Sequence, residues 1–98
     1  MARPGDPPVS PTLLCLIGEQ VLIDSKGWFF YAGTLESVDR DWLTLTECDM
    51  HDHRESNSTR EVYIMEIAKY GIRKNRNRVL VRLREVMSIS RLAEITIY

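Results

Sequence analysis

The stretch "WFFYAGTLESVD", Trp28 to Asp39, reads as one long strand rich in aromatic and β-branched residues. Gly33 stands in its middle, where a missing side chain lets a strand curve sharply. "EQVLIDS" before it reads as a first strand, with Lys26-Gly27 as the turn between them. After it, "DRD" turns the chain again into "WLTLTEC", where Leu43 and Leu45 alternate with Thr44 and Thr46. A strand bent in its middle within a short antiparallel meander fits a small closed barrel better than a flat sheet.

The flanking sequence is read on the same terms. Residues 1–9 hold three of the four prolines and no periodic pattern, so they are expected to form a flexible arm. Ser10-Pro11 has the form of a helix start, a hydroxyl cap followed by proline at the first helical position. Leu13, Leu14, Leu16 and Ile17 follow, and Gly18 ends a short helix of roughly two turns. Beyond "WLTLTEC", "DMHDHRESN" has neither period nor β-propensity and is expected to be a loop. In "STREVYIMEIAKYGI", Ser58 and Glu61 have capping-box spacing and Gly71 occupies the place of a left-handed cap, with Ile72 behind it. These ends predict a helix, although the interior "VYIME" leaves a strand open. "RKNRNR" is a basic turn or the start of the next strand. "VLVRL" and "EVMSIS" then make two final strands with a tight connection near Leu83–Glu85. The closing "AEITIY" alternates as a further short strand would.

The chain has 98 residues, enough for one domain with a small core that association would help. No run approaches the roughly 18 apolar residues of a membrane helix, and the start lacks the apolar core of a secretory signal. A cytoplasmic location and no membrane partner are expected. Cys15 and Cys48 are too few for a disulfide framework and read as reduced, structural thiols. The net charge of −1 hides a split: residues 73–98 carry seven Lys/Arg against Glu85 and Glu94, and the rest of the chain is acidic. Such asymmetry fits a basic face for an anionic partner, and equally two oppositely charged faces of neighbouring subunits.

Helix followed by about five short, strongly bent antiparallel strands resembles the Sm-like family, and two stretches carry the resemblance. Gly33-Thr34-Leu35-Glu36-Ser37-Val38-Asp39 matches the G-x-L-x-x-x-D core of that family's first motif. "VLVRLREVMSI", Val79 to Ile89, lines up with its second motif, V-x-I-R-G-x-x-V-x-x-I, at Val79, Val81, Arg82, Val86 and Ile89. The resemblance covers roughly residues 10–48 and 77–92, within a single domain over 10–98 that carries an insertion at about 49–76. It implies a five-stranded, mainly β barrel with a short N-terminal helix. It also implies that the fifth strand of one subunit pairs with the fourth of the next, closing a homo-oligomeric ring of roughly six or seven subunits. Val79, Val81, Leu83, Val86 and Ile89 are then interface candidates.

Departures from the family pattern bear on the site. The first motif usually continues D-x-x-h-N, with the asparagine reading a base in a uridine pocket. Counted from Asp39, that place holds Leu43, or Thr44 if strand alternation is matched; neither offers an amide that both donates and accepts. Asp41 stands where the family often has a stacking ring, with Trp42 beside it. Leu83 replaces the glycine after Arg82. The candidate RNA-binding residues are therefore Asp41, Trp42, Thr44, Arg82 and Arg84, in a pocket remodelled from the family's own.

Each candidate has a structural alternative. Arg82 and Arg84 either contact phosphates and bases or pair with carboxylates such as Glu47 or Asp49 on a solvated face. Trp42 either stacks on a base or fills a barrel end or subunit contact. "CDMHDH" places Cys48, Asp49, His51, Asp52 and His53 close together, yet no second ligand pair stands elsewhere, so a polar loop is the better reading and no metal or other cofactor is expected. No nucleophile motif or Gly-rich phosphate loop appears, so no enzymatic role is expected. Two functions are left: a ring that binds single-stranded RNA, or a ring that serves as a scaffold for protein contacts.

Overall fold

In the computed structural model, which describes residues 9–54 and 59–96, Ser10 caps α1 (Pro11–Leu14) by accepting the Leu13 N–H on its hydroxyl. Residues 1–8 of the expected arm, Ser58 of the expected capping box, and Ile97 and Tyr98 lie outside the described residues. The helix is a single turn and not two. Leu16 and Ile17 bond back three residues to Leu13 and Leu14, which tightens the chain, and Gly18 at φ 91° turns it away.

Five antiparallel strands follow in one bent sheet of order β4-β3-β2-β1-β5. They are β1 (Gln20–Ser25), β2 (Phe29–Val38), β3 (Trp42–Asp52), β4 (Arg76–Arg82) and β5 (Val86–Arg91). This is the mainly β, strongly bent architecture the sequence predicts. A 3-10 turn at Leu83–Glu85 joins β4 to β5, as the spacing near Leu83–Glu85 requires. Among the described residues β4 and β5 are the sheet's two edges and do not pair with each other.

The bend has a local cause. Ala32 pairs with Asp49 and Thr34 with Thr46, so Glu47 and Cys48 together stand opposite Gly33. This is a bulge, which adds bend and twist to the strand that carries it. Glu47 takes φ 50°, the only positive φ at a described non-glycine residue. A Cβ on Gly33 would stand 3.0 Å from the Thr46 carbonyl oxygen and 3.1 Å from Cys48 Cα. Glycine is what lets the two backbones approach here.

The bulge also resets alternation. Leu43 and Leu45 are fully buried, and the next buried residue is Cys48, three positions on. β3 then continues through Asp49, Met50, His51 and Asp52, pairing with Ala32, Tyr31, Phe30 and Phe29. The expected loop at "DMHD" is therefore strand: the long aromatic β2 supplies ladder partners that local propensity does not reveal.

Two cores result. Inside the bend, Leu16, Val21, Ile23, Leu35, Leu43, Leu45, Cys48 and Val81 pack together, each large apolar side chain contributing roughly 1.5–3 kcal/mol by burial. On the other face, Leu22, Phe30 and Ala32 are covered by Tyr63 and Ile67 of α2 (Arg60–Tyr70) and by Leu92. β1 is consequently buried on both sides at Val21, Leu22 and Ile23. The helix reading of 60–70 holds, while Thr59 is the cap, accepting the Val62 N–H at 3.2 Å. Gly71 closes the helix at φ 90° as predicted, and Ile72 packs on this second core. "AEITIY" does not begin a strand: Leu92–Glu94 is a 3-10 turn that seats Leu92 and Ile95 on the same core.

Candidate nucleic-acid interface

The turn between β2 and β3 is built by Asp39. Its Oδ1 accepts the backbone N–H groups of Asp41 and Trp42, both at 2.8 Å, and its own N–H donates to the Trp42 carbonyl at 2.9 Å. The two N–H donors favour the ionised form and hold this carboxyl below its usual range. Leu83 donates its N–H to the Asp41 carbonyl at 2.8 Å, and Glu85 accepts from Lys26. The 3-10 turn thus ties both ends of the bend. Because that turn needs no left-handed residue, leucine serves where the resembled family has glycine.

This geometry puts the first residue of β3 opposite the last of β4. Trp42 pairs with Arg82, whose guanidinium lies over the indole at 4.9 Å from the ring centroid. Arg40, Asp41, Trp42, Arg82 and Arg84 line one open cavity of about 300 Å³. Three guanidinium groups meet one carboxylate there, so the cavity favours anions.

Four of the five candidates are gathered in this cavity, and Arg40 is a fifth member that the sequence reading missed. Its position in "DRD" beside Asp41 was the available signal. Thr44 lies two residues along β3, paired with Leu80 and Ser37, and does not line the cavity. Leu43 is sealed in the core and reaches no ligand. Glu47 pairs instead with Lys74, and Asp49 is taken by Tyr63 and Asn75. Arg82 and Arg84 form no ion pair with any described residue, so the carboxylate pairing weighed for them is not made. Elsewhere the basic segment is partly neutralised within the chain, by Arg78 on Glu36 and by Arg91 on Glu94.

The five interface candidates face the chain's own interior. Val81 is buried, and Val79, Leu83, Val86 and Ile89 pack against the inner core. The large apolar side chains that β4 and β5 leave exposed are Leu80 and Met87, at 55% and 66%.

The "CDMHDH" segment has a packing role. His51 stacks on Tyr63 at 4.1 Å and His53 on Phe30 at 4.9 Å, so both rings lie against aromatic partners of the outer core. Tyr63 donates its hydroxyl to Asp49 at 2.7 Å; burial and that bond push the phenol above its usual range. Burial pushes the Cys48 thiol up to about 11. Asp52 accepts from Arg54, which holds it down to about 2. No three His, Cys, Asp or Glu side chains converge among the described residues.

Comparison with solved structures agrees with this architecture. An Sm protein of Pyrococcus abyssi, solved in complex with a uridine heptamer, superposes with a TM-score of 0.55 at 19% identity, covering 92% of this chain and 99% of that one. A heptameric archaeal Sm protein gives a TM-score of 0.54 at 25% identity, covering 84% and 97%. No protein-family model and no curated protein matches the chain. The protein has the Sm-like fold.

Proposed function

We propose that this protein is a ring-forming RNA-binding module, in which β4 of one subunit pairs with β5 of the next and single-stranded RNA contacts the Arg82–Trp42 cavity. The carrying observation is the guanidinium of Arg82 held on the face of Trp42 beside Arg84, with neither arginine in an ion pair with a described carboxylate. An indole face stacks on any base, and guanidinium groups engage phosphates. Asp41 adds an acceptor for a base donor. The two unpaired edges support assembly, because an open strand edge is resolved by pairing. A heptameric neighbour and a neighbour holding a uridine heptamer support the ring and the ligand class.

The cavity lacks an amide that donates and accepts together. Stacking and phosphate contacts therefore dominate, and discrimination between bases is weak. Titration of the chain with oligo-U and oligo-A at rising salt tests this: both bind at low salt, and affinity falls steeply as salt rises. If neither binds at low salt, the alternative reading stands, an oligomeric scaffold for protein contacts. Exposed Val62 and Tyr70 on α2 are the observation that favours that alternative.

A further inference from the structure

A second cavity, of about 470 Å³, lies between α2 and the far end of β3. Asp49, His51, Tyr63, Glu66, Tyr70 and Arg73 contribute to its walls. On α2, Tyr63, Glu66 and Tyr70 follow each other at three- and four-residue spacing, which places them along one helix face. Gly71 ends the helix, and Arg73 follows at the cavity's edge.

The groups in this cavity divide into two kinds. Asp49 is committed, one oxygen accepting from Tyr63 and the other from Asn75. His51 is committed as a wall stacked on Tyr63; its Nε2 is shut off from solvent with no described partner, so an incoming group does not reach it. Glu66 and Arg73 are the reverse. Neither makes a hydrogen bond or ion pair with any described residue, although both line the same cavity. Tyr70 is 75% exposed, with the Lys69 ammonium 5.7 Å from its ring centroid. A carboxylate and a guanidinium with no described partner thus stand beside an exposed aromatic ring.

We propose that this cavity binds a guanine nucleotide, with the base on Tyr70, the Glu66 carboxylate on the base edge and Arg73 on the phosphate. An ionised carboxylate only accepts, and it accepts best from two neighbouring donors. Guanine presents such a pair at N1–H and its 2-amino group. Adenine sets a bare acceptor at N1, and uracil sets a single N–H between two carbonyls. Both of those edges meet the carboxylate with a repelling lone pair. The nucleotide is either free or one residue of an RNA strand, since the same base, sugar and phosphate serve in both. This site is independent of the Arg82–Trp42 reading and stands whether or not that cavity binds RNA.

The test is a calorimetric titration of the full chain carrying W42A, R82A and R84A, which remove the other cavity's stacking ring and its two arginines without an ion pair, with GMP, AMP and UMP at low salt. GMP is expected to bind about tenfold or more tightly than the other two, the discrimination of one bidentate contact. E66Q is expected to abolish that preference, Y70A to lose binding, and Y70F, which keeps the ring, to retain it. Circular dichroism on each variant confirms the fold. A uridine heptamer with one guanosine separates the sources: tighter binding than GMP assigns the site to RNA, and equal binding assigns it to the free nucleotide. Equal affinity for all three nucleotides, no binding of GMP, or an unchanged preference in E66Q overturns the proposal.

Discussion

Arg82 lies directly across the β3–β4 ladder from Trp42, and its guanidinium sits 4.9 Å from the indole centroid. The pair joins the two motif segments, which are forty residues apart in the chain, into one surface. On the proposed function, R82A lowers affinity for oligo-U about tenfold, as the loss of a charge-assisted contact does. The slope of log affinity against log salt falls by about 0.7 for the lost phosphate contact. Fluorescence anisotropy across a salt series reads both. An unchanged slope removes Arg82 from the interface.

The edge strands make a separate prediction. Leu80 and Met87 face outward on β4 and β5, so an L80E/M87E chain places charge on both edges while leaving the core residues untouched. Light scattering is expected to find the natural chain as a closed oligomer and the double variant as a monomer. A monomeric natural chain at micromolar concentration contradicts the ring.

Gly33→Ala tests the bend. The added methyl meets the Thr46 carbonyl oxygen and Cys48 Cα, backbone atoms held between two strands that cannot retreat cheaply. Overpacking of this kind costs roughly 1–3 kcal/mol, read as a lower urea midpoint at constant m.

Asp39 supplies an acid-dependent contribution. Its carboxylate is favoured in the folded state by the Asp41 and Trp42 N–H groups, so its folded pKa lies below the unfolded value. That contribution is complete above the ordinary carboxylate range and is lost as pH falls through the lowered folded value. D39N, which still accepts but does not titrate, is expected to flatten this part of the stability–pH profile while keeping the turn. D39A removes the acceptor and is expected to lower the melting temperature at neutral pH.

The two thiols should react unequally. Cys15 is exposed, whereas Cys48 is buried with its thiol pushed up to about 11. At neutral pH a maleimide is expected to label Cys15 alone, and Cys48 only after denaturation. Because the folded value is raised, the Cys48 contribution to stability is whole below the unfolded thiol pKa and is lost as pH rises toward 11. Mass spectrometry of the labelled chain gives the count.

How far the residues disclosed the structure depends on where their partners sit in sequence. Leu43 and Leu45 alternating with threonine, Gly33 in a strand, and Gly71 after α2 were legible because each is settled by its own neighbours. "DMHD" was not, because its strand character depends on β2 and its alternation restarts at Glu47. The last alternating residues misled for the opposite reason: Leu92 and Ile95 are drawn onto the core that α2 makes, which overrides their β-propensity. The Arg82–Trp42 meeting was half visible, since both residues were singled out but their contact needs the β3–β4 register. The α2 cavity was invisible, for it exists only once a helix is laid over the outer sheet face.

The reset at Glu47 makes β3 two short strands in series: Leu43 and Leu45 face the inner core before it and Cys48 after it, so that Asp49 and His51 turn toward α2. Changes that tune the Trp42 end leave the side-chain phase at the His51 end untouched, and the reverse also holds. One continuous strand thereby gives the molecule two ends that can be specialised separately, without a second domain.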